Sequence, residues 1–193
     1  MVGARALSCR VLVIPEDPTY NGYILRPLVS RLLRECGKAN ARVQVLTDPK
    51  VQGFEHACAS MPEICDRYAH YDVLLFLPDA DGRDREGLFA QLEAAAGPRL
   101  FCCAAEQEVE AWLLAGHTEK LREKFGRSWP EVHADVSVKE NVFSRFLKEY
   151  GDSNQPGGGR EGLMQQTLGN FRGLLDRCRE LADLQERLRK ALA

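Results

Sequence analysis

The chain has no excess of charge of either sign: 26 Lys and Arg stand against 28 Asp and Glu in 193 residues, a formal charge of −2. No strongly basic face follows from that balance. Phosphate-neutralising charge would have to be gathered locally, or supplied by a metal ion or a partner. The seven cysteines (Cys9, Cys36, Cys58, Cys65, Cys102, Cys103 and Cys178) are odd in number and never spaced as CxxC, so neither a disulfide framework nor a zinc ribbon is indicated. No stretch approaches the ~20 apolar residues needed to span a bilayer. The apolar run from Val11 to Ile14 is too short for a signal peptide and is closed by Pro15 and two acids. These absences predict a cytoplasmic protein with reduced, mostly buried thiols and no membrane contact. A GxxxxGK[ST] phosphate loop is also missing, although Gly157, Gly158 and Gly159 lie in a row.

What is present is enough to build a core. Hydrophobic residues make up 45% of the chain and aromatics 8%, and a domain of this size hides about 70% of its unfolded surface. Arg10-Val11-Leu12-Val13-Ile14 predicts a strand buried on both faces, followed by the breaker Pro15-Glu16-Asp17-Pro18-Thr19. Leu25, Leu28, Leu32, Leu33 and Cys36 then recur at helical spacing before Gly37. Ala41 to Leu46 reads as a second strand and Phe54 to Tyr68 as a helix. Val73 to Leu77 is the clearest buried strand, ended by Pro78-Asp79-Ala80-Asp81-Gly82. A short helix near Arg85 to Ala95, a fourth strand over Arg99 to Ala105 and one long helix from Glu106 to about Phe125 complete this half.

Strands and helices alternating at this spacing call for parallel pairing. The expected fold is α/β, a Rossmann-like parallel sheet of about four strands over residues 1–126, with residues 127–193 as a helical extension of the same domain. Within the extension, a helix is expected around Val142 to Tyr150, a flexible segment from Gly151 to Gly159, and a long last helix. Phe171, Leu174, Leu175, Cys178, Leu181, Leu184 and Leu188 share one face of that helix, which should dock on the sheet or on a partner subunit.

In such sheets functional groups gather at the carboxyl ends of the strands, where the strand order reverses. Glu16 and Asp17 follow the first strand, Asp79 and Asp81 the third, and Glu106 the fourth. If the order is 2-1-3-4, these acids converge. Like charges at ~4 Å repel by roughly 1 to 4 kcal/mol, so a converging group needs a proton, a basic partner or a cation. Carboxylate oxygens favour Mg²⁺ or Mn²⁺, and His56, His70, His117 and His133 are scattered away from these loops. Asp79 and Asp81 can hold the ion, with Glu16 as a further ligand or as general base on a metal-bound water. Glu106 and Glu110 share a helical stripe with Val109 and Leu113 and are secondary candidates for the same ion. Each piece also has an ordinary reading. Asp and Gly are common turn formers, Asp17-Pro18 suits a helix N-terminus, and Glu106, Glu108 and Glu110 can complement a helix dipole. It is their coincidence of place that favours a site.

An acid after the first strand and Asp-x-Asp after the third, in a small parallel sheet, resemble the Toprim domain shared by topoisomerases, primases and the overcoming-lysogenization-defect nucleases. More narrowly, Glu16-Asp17-Pro18-Thr19, Asp79-Ala80-Asp81-Gly82 and the segment from Glu106 to Leu114 resemble the motifs of a Toprim-like bacterial family of unknown function. The resemblance covers roughly residues 10–126. It implies Mg²⁺-dependent nuclease or other phosphodiester chemistry on DNA or RNA, with an ATPase as a possible partner in phage defence or repair. Glu16 matches the family's general acid or base, and Asp79 and Asp81 its metal-binding pair. One departure stands out: Toprim domains usually place Gly directly after the Glu, whereas Asp17 and Pro18 follow here. A receiver-like phosphoacceptor is excluded, since Phe101 to Ala105 offers no hydroxyl and no fifth strand is evident. The rival from another class is a non-catalytic assembly subunit that binds a partner through its C-terminal helix, with homo-oligomerisation left open.

Overall fold

The computed structural model describes residues 8–193. Four runs form strands: β1 (Arg10–Pro15), β2 (Arg42–Val45), β3 (Val73–Leu77) and β4 (Leu100–Cys102). They pair in the order β2-β1-β3-β4, all parallel. Successive residues of the central strands point to opposite faces, and both faces are covered. Val11, Val13, Leu75 and Leu77 pack into one apolar cluster, while Leu12, Ile14, Leu74 and Phe76 pack into another. The first cluster takes in α1 (Gly22–Glu35) and the second α2 (Phe54–Arg67). Beside the second lies α3 (Glu86–Ala96), through Leu88, Phe89 and Leu92. The fold is therefore α/β, as the alternation of strands and helices predicts.

Beyond β4 the chain departs from the expected helices. Only Leu100–Cys102 is regular strand, and Ala105 returns as a single parallel bridge to Asp79. The stretch after it does not coil, because its carbonyls are taken by the loop after β3. Ala80 N–H donates to the Ala105 oxygen at 2.9 Å, Asp81 N–H to Gln107 at 3.0 Å and Gly82 N–H to Glu106 at 2.9 Å. The helix expected from Glu106 starts at Glu110 instead and is divided into α4 (Glu110–Leu114) and α5 (Thr118–Phe125). The division has a packing cause. The Thr167 hydroxyl donates to the Leu113 carbonyl at 2.6 Å, and Gly116 lies so close to Thr167 that a Cβ there would fall 2.4 Å from its hydroxyl oxygen. Replacing the fully buried Thr167 with Val should cost about 1 kcal/mol, read as a lower urea midpoint at unchanged slope; an unaltered midpoint would show that this bond does not hold the junction.

The remaining helices are α6 (Trp129–His133), α7 (Ser144–Tyr150), α8 (Arg160–Leu168), α9 (Phe171–Arg177) and α10 (Arg179–Leu192). A π-turn at Lys139–Phe143 leads into α7. The single last helix expected from the leucine spacing is broken at Cys178, whose φ −121° and ψ 86° are not helical. Its apolar side is continuous all the same. Leu174, Leu181, Leu184 and Leu188 join the cluster that contains Val11 and Val13, so this face docks on its own chain. The glycine-rich segment is not loose either: a 3₁₀ turn at Pro156–Gly159 is held by Arg160, which donates to the Gly157 carbonyl at 2.7 Å. Among the described residues no helix is long and apolar enough to cross a membrane.

Candidate metal centre

Pro15 lies beside Leu77 in the parallel register, so the chain leaves β1 and β3 at adjacent points of the sheet edge. These are the strands at which the order reverses, and their loops carry Glu16 and Asp79. The Asp79 N–H donates to Glu16 Oε2 at 3.4 Å. Asp79 is only 9% exposed, and its Oδ1 accepts the Val109 N–H at 2.8 Å. That bond ties the loop after β3 to the start of α4 and brings in Glu110, which is 1% exposed. Glu108 approaches from the same turn, its Oε2 accepting the Lys139 N–H at 2.7 Å. The Lys139 ammonium stands 3.6 Å from Glu110 Oε1, a charge contact outside hydrogen-bond reach. Both Glu110 oxygens are buried with no hydrogen-bond partner.

The electrostatics record how crowded this corner is. Burial, reinforced by the charges of Glu110, Glu16 and Glu108, pushes the Asp79 carboxyl up to about 8 against the opposing Val109 N–H. Burial also raises Glu16, with Asp81 adding to the rise and the Asp79 N–H, Arg85 and Lys139 resisting it. Glu108 is pushed up to about 6, chiefly by burial and by Glu110. For Lys139 burial pulls downward, but Glu110, Asp79, Glu108 and Asp17 together hold its ammonium above the usual range.

Of the acids singled out in the sequence, Glu16, Asp79 and Glu110 are brought together. Asp81 lies on the rim: it is exposed, adopts a positive φ of 53°, and is near enough for its charge to act on Glu16. Gly82 follows at φ 67°, where a Cβ would stand 3.1 Å from Gln107 Oε1, so glycine suits the tight bend. Glu106 is not part of the group. Its side chain is 60% exposed and faces His133 Nε2 at 3.0 Å, because residues 105–107 pair with the loop after β3 instead of coiling, and Glu106 and Glu110 do not share a helical stripe. Asp17 is not a helix N-cap. Its Oδ1 accepts the Thr19 N–H at 2.8 Å, an Asx turn, and α1 begins only at Gly22. Lys139 had no local signal in the sequence, since only the tertiary fold brings residue 139 to residue 110.

The donor set is all carboxylate, which suits a hard divalent cation. A buried carboxylate without donors is costly and calls for positive charge; Glu110 is in that position, and this is the feature that fits an ion. Among the described residues no three His, Cys, Asp or Glu groups are arranged to hold an ion as they stand, so the acids share a corner without sharing one centre. Glu16 also borders an open cleft of about 320 Å³ lined by Asp17, Thr19, Lys50 and Gly53. A larger cleft of about 630 Å³ is lined by none of Glu16, Asp79, Asp81, Glu108 and Glu110. Ala80 and Glu106 are among its lining residues, which mix Arg83, Arg177 and Arg179 with Asp84 and Asp183. No family model, curated protein or solved structure matches the chain.

Proposed function

We propose that the chain is a Mg²⁺- or Mn²⁺-dependent nuclease or related phosphodiester-cleaving component, with Asp79 and Glu110 holding the ion, Asp81 at the rim of the site and Glu16 handling the proton. The observation that carries this reading is the meeting of acids from three separate elements around Asp79, next to Glu110, a buried carboxylate whose oxygens have no hydrogen-bond donor. When bound, a divalent ion would polarise a phosphoryl oxygen and make water a better nucleophile. The residues around it have distinct tasks. Val109 N–H fixes Asp79 in one orientation. Glu16 sits where the acid group meets the open cleft, and its raised pKa makes it a better proton acceptor than an exposed carboxylate near neutral pH. DNA or RNA as substrate, and an ATPase as partner, belong to the proposal through the Toprim-like resemblance. The assembly-subunit alternative has less support, because the apolar face of the C-terminal helices is already covered by the protein's own core.

The test is cleavage of supercoiled plasmid and of single-stranded RNA by the purified protein with Mg²⁺, Mn²⁺ or chelator. Metal-dependent nicking should fall by roughly 100-fold or more in Glu16→Gln, the usual scale for losing a general base. Equal cleavage by wild type and variant, or no cleavage by wild type on either polymer, would contradict the proposal.

A further inference from the structure

Lys139 is anchored at its backbone and loose at its tip. Its N–H donates to Glu108 Oε2 at 2.7 Å, and its carbonyl accepts the Ser144 hydroxyl at 2.8 Å. Both bonds fix the first residue of the π-turn Lys139–Phe143, a helix irregularity often found at functional sites. The side chain is 37% exposed, and its ammonium meets Glu110 at 3.6 Å without a hydrogen bond. Among the described residues it is the only cation within 4 Å of Glu110. A long, flexible amine at the water boundary can turn outward with its backbone unmoved. A divalent ion and an ammonium cannot both stay close to one carboxylate without strong mutual repulsion.

We propose that Lys139 and a divalent cation compete for Glu110, so that the lysine sets how tightly the site binds metal and swings to solvent when the ion enters. The inference rests on the metal reading of the site and adds a regulator of affinity to it.

Two measurements test it without using activity. Mn²⁺ binding, followed by the loss of the free-ion paramagnetic resonance signal, should be about tenfold tighter in Lys139→Met, since one competing positive charge is gone. In the wild-type protein, acetylation of the Lys139 amine read by mass spectrometry should rise several-fold on adding millimolar Mg²⁺. The second measurement stands even if the variant fails to fold. Wild-type Mn²⁺ binding, with affinity unchanged or weaker in Lys139→Met and labelling unaffected by Mg²⁺, would overturn the competition and leave the metal site standing. No Mn²⁺ binding by either protein would overturn both.

Discussion

In the presence of a chelator, the wild-type protein should lose stability relative to Asp79→Asn as the pH rises from 5 to 9, by a margin on the order of 10 °C in melting temperature. The Asp79 carboxyl is pushed up to about 8 in the folded chain and has an ordinary value near 3.9 when unfolded. Between those limits the folded state binds more protons than the unfolded one, so stability falls as pH climbs. The stabilising contribution is complete below about pH 4 and gone above about pH 8, and about 4 kcal/mol of it is lost between pH 5 and pH 8. For a domain of this size each kcal/mol moves the midpoint by about 2–4 °C. Glu16 and Glu108, also raised, slope the same way, while the buried His117, lowered chiefly by desolvation, slopes the other way. The difference between the two curves reports Asp79 together with its coupling to Glu110, Glu16, Glu108 and Lys139. Asparagine keeps an oxygen for the Val109 N–H, so the geometry is held while the charge is removed. Parallel curves would mean that Asp79 ionises without penalty and is not crowded by its neighbours.

The second large effect has the opposite biological sign. Glu110→Met should stabilise the chelated protein by about 2 kcal/mol, within the range seen when buried ionic groups are replaced by apolar ones of similar size. Glu110 is buried, its oxygens lack hydrogen-bond donors, and Lys139 can turn to water once the carboxylate is gone. Methionine matches its length and suits a helix as well as glutamate does. The variant should also lose any gain in melting temperature from millimolar Mn²⁺. Such a gain in the wild type would be about 2.7 kcal/mol if the ion is present at a hundred times its dissociation constant. Stability bought by removing a functional charge is a familiar trade-off. Because Glu110 contributes to the Asp79 shift, the two substitutions should not be additive. A Glu110→Met protein that melts lower than wild type would show that the carboxylate has a stabilising role beyond binding an ion.

Much of this corner was legible in the sequence because it depends on local pattern. Val11 to Ile14 and Val73 to Leu77 are continuous apolar runs, and only strands covered on both faces need them. The breakers after them had to sit at the carboxyl edge, so Glu16 and Asp79 could be located once the strand order was supposed. The junctions set by distant contacts were not legible. Helical spacing runs unbroken through Glu106, Val109 and Leu113, yet residues 105–107 pair with the loop at residues 80–82. That long-range pairing moved Glu106 out to His133 and left Glu110 inside. The leucines of α9 and α10 likewise keep one period across the break at Cys178, because both helices bury the same side. Composition made the 151–159 segment look flexible, but Arg160 bonds back onto it. Lys139 lies in an unremarkable stretch, Ser137-Val138-Lys139-Glu140, and acquires meaning only beside Glu110.

The proposed chemistry depends on one event, the capture of a divalent ion by the acids that end β1 and β3 and begin α4. Anomalous diffraction from crystals soaked in Mn²⁺ tests it most directly. A manganese peak is expected within ligating distance of Asp79 and Glu110, bordered by Glu16, with the Lys139 ammonium turned away. A map with no peak there, or with manganese only at surface carboxylates elsewhere, would contradict it.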